Sequence, residues 1–150
     1  MEGCLACDLA EGRADLPGGV IHEGASWIVE HTVGPLGVGT LIVKPKRHVV
    51  HVSELDRDEA QELGPLLQSA AAIVAELAEP DQVYVCLWSH HGGRPVHLHF
   101  VVQPVTRALM DEIGDIGPAL QVAMFERGEY PPRDEVEAFA DRARAVLARE

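Results

Sequence analysis

One seven-residue run constrains the fold more than any other part of the chain. Residues 96–102 read Val-His-Leu-His-Phe-Val-Val, with His97 and His99 at alternate positions among apolar residues. Alternate residues of a β-strand point to opposite faces, so the pattern predicts a strand with one apolar face and two imidazoles on the other. A single histidine here would be interpreted as a polar residue on the solvent-exposed face of an ordinary strand. Two in alternation, next to a Gly-rich segment, favour a functional site.

That Gly-rich segment, residues 90–95, reads His-His-Gly-Gly-Arg-Pro. Glycines let backbone N–H groups approach an anion closely, and a guanidinium adds positive charge. Gly92, Gly93 and Arg94 are therefore predicted to stabilise phosphoryl charge, and Ser89 is predicted to add a hydroxyl contact.

Length and charge narrow the class of protein. The 150 residues predict a single domain over 1–150. No apolar run approaches the roughly 18 residues of a membrane span, and the N-terminus lacks a leader pattern, which predicts a cytoplasmic protein with no membrane partner. The net charge of −12 argues against binding a nucleic-acid duplex. Lys44, Lys46 and Arg47 nevertheless cluster, which fits either a small phosphorylated ligand or a solvated strand end.

The order of elements predicts an α+β fold with an antiparallel sheet, a long central helix and C-terminal helices. Strands are expected over 19–22, 26–30, 40–43, 82–88 and 96–103, and the first two are expected to form a hairpin. The long helix is expected over 54–79 with Ser53 as its N-cap, and the last helix with Asp134 as its cap. Apolar stripes on both helices fit either the chain's own core or a partner subunit in a homodimer.

Cys4 and Cys7 have the spacing of a metal-binding or redox pair. Thiolate and imidazole ligands suit zinc, so His48 and His97 are candidates to complete a tetrahedral set. Other histidines compete for these places, and the sequence does not choose among them: His22, His31, His51, His90 and His91. The redox reading is weaker, because the pair precedes every predicted strand. Cys86 lies in an apolar run and is expected to be buried.

Residues 40–48, Thr-Leu-Ile-Val-Lys-Pro-Lys-Arg-His, are followed by the long helix, a strand, the Gly-Gly segment and His-Leu-His-Phe-Val-Val at 97–102. This succession resembles the histidine-triad superfamily of nucleotide hydrolases and transferases. The match runs from residue 4 to about 104, with a helical extension over about 108–150. The resemblance implies an α+β fold, a homodimer and a substrate that is a nucleoside phosphate or dinucleoside polyphosphate.

The sequence departs from that family's signature of three alternating histidines, because only two are present. In one register His97 takes the first position, His99 is the nucleophile and Val101 stands third. The resemblance then implies structural zinc on Cys4, Cys7, His48 and His97. In the other register Pro95 stands first, His97 is the nucleophile and His99 stands third. The first register is favoured, since it keeps the complete zinc set.

The resemblance implies that the nucleophilic imidazole attacks the α-phosphorus and carries the nucleotidyl group. Such an attack needs a free lone pair on one ring nitrogen, so we expect the other to donate to a backbone carbonyl. The resemblance also implies an acidic contact to the ribose hydroxyls. Glu30 is the candidate, with His31 at a neighbouring position. The missing third histidine keeps a second function open, a zinc-stabilised nucleotide-binding or sensing module with little or no catalysis.

Overall fold

The computed structural model describes residues 1–149, and position 150, the last of the predicted domain, lies outside them. The helices and strands follow one another as α1 (Leu5–Ala10), β1 (Val20–Glu23), β2 (Trp27–His31), β3 (Leu41–Pro45), a 3₁₀ turn (Val52–Glu54), α2 (Arg57–Ala78), β4 (Gln82–His91), β5 (Arg94–Val105), α3 (Arg107–Ile113), α4 (Gly117–Arg127) and α5 (Arg133–Leu147). No helix within residues 1–149 combines the length and the apolarity that crossing a membrane requires.

The five strands form one sheet in the order β1-β2-β3-β5-β4, and every neighbouring pair is antiparallel. The predicted α+β class with an antiparallel sheet and a long helix is therefore confirmed. The β1–β2 hairpin and the β4–β5 pairing are also as predicted. The strand that carries the two histidines, β5, lies between β3 and the edge strand β4, so its side chains have neighbours on both sides.

One face of the sheet packs against α2 and α5 and forms the main core. Alternation places every second residue of each strand on this face, and the buried members include Trp27, Val29, Leu41, Val43, Leu98 and Val102 from the strands and Leu66, Ala70, Ile73, Val74, Phe139, Ala140 and Ala143 from the helices. The apolar stripes of both helices are thus covered by the chain's own core.

The opposite face, called the site face below, carries the residues that alternate with those core positions. From β2, β3 and β5 these are Ile28, Glu30, Ile42, Lys44, His97, His99, Val101 and Gln103. Helix α4 lies over part of this face, since Phe125 stacks on Trp88 of β4 with ring centroids 5.1 Å apart.

Two predicted helix caps are wrong. The long helix begins at Arg57, because the Asp56 side chain accepts a hydrogen bond from the Glu59 N–H in a capping box, while Ser53 lies in the preceding 3₁₀ turn. The last helix begins one residue before the predicted cap, so Asp134 lies in its first turn. Its negative charge still stabilises the helix there, because the N-terminus of a helix carries a partial positive charge.

Candidate functional site

Four ligand-type side chains meet where α1, the segment after β3, and β5 approach one another. Cys4 precedes α1 and Cys7 lies within it, while His48 follows β3 and His97 lies on β5. Their four donor atoms all lie within 4.8 Å of one another. The structure therefore forms a Cys2His2 group that could hold a metal ion from residues that are up to 93 positions apart in sequence.

The spacing of this cluster fits a tetrahedral ion. Cys7 Sγ lies 3.4 Å from Nδ1 of both His48 and His97, and Cys4 Sγ lies 3.6 Å from Nδ1 of His97. Zinc with Zn–S bonds of about 2.3 Å and Zn–N bonds of about 2.0 Å places tetrahedral S and N ligands about 3.5 Å apart. The residues present thus fit a zinc ion in both donor type and spacing.

His97 is held in a ligating form by its surroundings. Its Nε2–H donates to the Pro45 carbonyl at 2.8 Å, which leaves the Nδ1 lone pair facing the two sulfurs. Burial lowers the pKa of His97 to about 4, so the imidazole is neutral near pH 7. Burial also raises the pKa of the Cys7 thiol, so an incoming metal ion must displace its proton.

The histidines that competed for the metal set lie elsewhere. His31 is fully buried, donates from Nδ1 to the Thr32 carbonyl and accepts the Gly39 N–H at Nε2, which uses both ring nitrogens. His51 precedes the 3₁₀ turn as its N-cap and is exposed. His22 lies on β1, and the remaining two are exposed on β4: His90 and His91.

His99 is oriented by its own strand. Its Nδ1–H donates to the His97 carbonyl at 2.9 Å, so the lone pair is on Nε2. Burial lowers the pKa of His99, and the positive charge of Lys44 lowers it further, which keeps the ring neutral. A neutral imidazole with one nitrogen fixed and the other free is suited to nucleophilic attack.

The neighbours of His99 on the site face follow from the register. Trp88 is its partner on β4. On the other side, the pairing of β3 with β5 ends at Val43 opposite Phe100, and Lys44 is the next residue of β3. Its charge is close enough to lower the pKa of His99. His99 therefore has Trp88 as its paired neighbour and the charge of Lys44 nearby.

Glu30 and Lys44 form a buried ion pair on the same face, with Lys44 Nζ 2.6 Å from Glu30 Oε1. The exposed fractions of their side chains are 3% and 1%. Burial raises the pKa of Glu30, and the charge of Lys44 opposes that rise. The other carboxylate oxygen, Glu30 Oε2, is buried without a hydrogen-bond partner.

The basic residues that cluster in sequence do not form one surface. Lys44 is buried against Glu30, whereas Lys46 pairs with Glu23 at 2.9 Å on the surface. Arg47 pairs with Glu59 at 2.8 Å near the start of α2. Each of the three cations thus has its own acidic partner, and only Lys44 lies beside His99.

The predicted Gly-rich loop is a tight hairpin turn. Gly92 and Gly93 have φ values of +56° and +77° and form the two-residue connection between β4 and β5, whose paired strands extend to His91 and Arg94. Arg94 is five residues before His99, about 16 Å at the usual rise of a strand. Ser89 lies closer, at an irregularity of the β4–β5 ladder. That these four residues bind phosphate stays a prediction.

Polar contacts that were not predicted from the sequence hold α4 on the site face. Gln121 Nε2 donates to Gln103 Oε1 at 3.0 Å, and Gln121 also contacts Cys86, which was expected to be buried and is half-buried. Gln103 in turn donates to the Leu36 carbonyl. A glutamine at an alternate position of an apolar strand is the signal for such a contact, although it does not identify the partner.

Comparison with known proteins finds similarity in structure. No protein-family model matches the sequence, and no curated protein matches it. A solved Hit-like protein involved in cell-cycle regulation from Bartonella henselae, crystallised with an unknown ligand, is 17% identical, with a TM-score of 0.75 and 98% of each chain covered. A hypothetical histidine triad nucleotide-binding protein from Sulfolobus tokodaii is 16% identical, with a TM-score of 0.73, and the match covers 97% of this chain and 93% of that one.

A zinc-bound histidine triad family protein from Mycobacterium smegmatis is 19% identical, with a TM-score of 0.70, and the match covers 98% of this chain and 96% of that one. At these identities the likeness concerns the fold. The chain has the α+β fold of histidine-triad proteins, as the sequence predicted, and the likeness extends over the C-terminal helices as well as the core.

Proposed function

We propose that this chain, which has the histidine-triad fold, is a member of that superfamily and acts on nucleoside phosphates or dinucleoside polyphosphates as a nucleotidyl hydrolase or transferase. The observation that carries the proposal is His99, whose Nδ1–H is engaged by the His97 carbonyl while Nε2 keeps its lone pair. The same fold occurs in the Sulfolobus protein described as nucleotide-binding.

In the proposed reaction, the Nε2 lone pair of His99 forms a bond to the α-phosphorus as the bond from phosphorus to the leaving oxygen breaks. The leaving group departs with that electron pair and takes a proton from water, which leaves hydroxide. Water or the hydroxyl of a second acceptor then attacks the phosphorus and loses its proton to that hydroxide. The bond from phosphorus to Nε2 breaks with its electron pair returning to the nitrogen, which releases His99 as a neutral imidazole. The covalent intermediate divides one difficult displacement into two easier ones.

Cys4, Cys7, His48 and His97 would hold the zinc ion. With four protein ligands the ion is closed to substrate, and it supplies structural cross-linking rather than chemistry. This assignment supports His99 as the nucleophile, because the free nitrogen of His97, Nδ1, faces the thiols of Cys4 and Cys7. In the other register His97 would have to serve as both ligand and nucleophile.

A second candidate function is a zinc-stabilised module that binds nucleotides with little or no catalysis. It is favoured by Val101, which occupies the third position of the signature with an apolar side chain and is 2% exposed. Glu30, the predicted ribose contact, is already paired with Lys44, which also fits a binding role with altered ligand preference.

A substrate screen distinguishes the two functions. The zinc-loaded protein is incubated with nucleoside diphosphates and triphosphates, dinucleoside polyphosphates and nucleotide sugars, quenched rapidly and analysed by mass spectrometry. We expect at least one substrate to leave an acid-labile nucleotidyl adduct on the protein. Binding of nucleotides without any adduct would favour the binding module, and neither binding nor adduct would contradict both proposals.

We also propose a homodimer that forms through the exposed edge of β4. Val85 and Leu87 on this strand are 46% and 42% exposed, and an edge strand offers unpaired backbone groups to a second copy.

Light scattering should give twice the chain mass of 16.3 kDa. Leu87→Lys should shift the protein to monomer, while Val122→Lys, at an equally exposed position of α4, should not. A monomeric wild-type protein at micromolar concentration would refute the dimer.

A further inference from the structure

We infer that Lys44, oriented by Glu30, binds a phosphoryl oxygen of the ligand beside His99 and supplies the positive charge that a third histidine does not. The inference rests on the proposed function for the identity of the ligand. It concerns a residue outside the two-histidine signature, on a different strand, that the structure brings to the nucleophile.

The first argument is position. Lys44 follows the last paired residue of β3 on the site face, and its charge acts on His99. Its ammonium contacts Glu30 on β2, and Glu30, Ile42 and Val101 form one row of paired residues across β2, β3 and β5. The ammonium therefore reaches the β2 end of the row that contains Val101, which takes the place of the third histidine of the family signature.

The second argument is unused hydrogen-bonding capacity. An ammonium has three donors, and Nζ of Lys44 has one partner, Glu30 Oε1, among residues 1–149. Glu30 Oε2 has none in the same part of the chain. Buried polar groups are nearly always paired, and an exception in a folded protein calls for an explanation. A ligand with an anionic oxygen and a nearby hydroxyl or N–H donor would satisfy both groups.

The third argument is energetic. Withdrawing two charges from water costs free energy that the attraction within the pair often fails to offset, so a buried ion pair is poor evidence for a purely stabilising role. In a dry site, however, a charge-assisted hydrogen bond to phosphate is strong. The positive charge would stabilise the negative oxygens of the phosphorus both in the bound ligand and during attack by His99.

The test separates phosphate binding from a structural role. Affinities of the zinc-loaded protein are measured for the four common nucleoside 5′-monophosphates and for the matching nucleosides. Lys44→Met is combined with Glu30→Gln so that no unpaired carboxylate remains buried. We expect the affinity of the double variant to fall about tenfold to hundredfold more for the monophosphate than for the nucleoside, because loss of the ammonium affects the phosphate alone, whereas a contact of Glu30 with a ribose hydroxyl is common to both ligands.

Lys46→Met is the matched control, since it removes a lysine two residues away whose partner, Glu23, is on the surface. It should leave both affinities unchanged. Equal losses for monophosphate and nucleoside in the double variant would assign the pair a structural role and overturn the inference. So would a wild-type protein that binds no monophosphate more tightly than its nucleoside.

A second measurement needs no substitution. In wild-type protein the ¹⁵N resonance of the buried Lys44 ammonium should shift on addition of a bound monophosphate and not on addition of the nucleoside. An unchanged resonance would overturn the inference even if the double variant fails to fold. A His99 adduct that forms normally in the double variant, with unchanged phosphate affinity, would refute the role of Lys44 while leaving the proposed function intact.

Discussion

Replacing His99 with alanine is expected to abolish nucleotidyl transfer and to leave the zinc content unchanged. The substitution removes the attacking Nε2, and no other free imidazole nitrogen lies at that place, because position 101 is valine. Loss of a covalent nucleophile lowers turnover on the order of 10⁴-fold or more in comparable cases. Turnover and intact-mass adduct formation are measured together on zinc-loaded protein.

Two alanine variants serve as comparisons. His91→Ala removes an exposed imidazole from the neighbouring strand and should change neither turnover nor zinc. His97→Ala removes a proposed ligand and should chiefly lower zinc content and stability. Peptide mapping after a rapid acid-free quench then locates the adduct. An adduct on His97, or full adduct formation in His99→Ala, would show that the assigned register is wrong.

The strands and the position of the two imidazoles could be predicted because both depend on local alternation. His97 and His99 must share a face once residues 96–102 form a strand, whatever their neighbours are. The spacing of Cys4 and Cys7 similarly marks a ligand pair without knowledge of the fold. Choosing His48 and His97 among eight histidines, by contrast, needed the family resemblance.

Contacts between distant segments could not be predicted in this way. Glu30 and Lys44 are 14 residues apart on neighbouring strands, and their pairing depends on the register of β2 against β3. The contact of Gln121 with Gln103 depends on where α4 docks, which its own weak apolar pattern does not specify. A charged residue inside an apolar strand indicates that it has a polar or charged partner. Only the folded structure shows which residue that partner is.

Removing zinc is expected to cost the protein on the order of 4 kcal/mol or more of folding free energy. An ion that binds only the folded chain stabilises it by about 4 kcal/mol when its free concentration is a thousandfold above the dissociation constant. The four ligands tie α1 to the sheet, and they come together only on folding. Urea unfolding with and without a chelator measures the difference, and elemental analysis should give close to one zinc per chain.

Cys4→Ser should bind zinc weakly and unfold alike with or without chelator, because one thiolate ligand is gone. Cys86→Ser is the matched control, since Cys86 lies on β4 and belongs to the contacts with α4 rather than to the cluster. It should keep both the zinc and the response to chelator. Undiminished zinc in Cys4→Ser would contradict the ligand set.

Because His97 also supplies the carbonyl that orients His99, chelation should slow adduct formation before the protein unfolds.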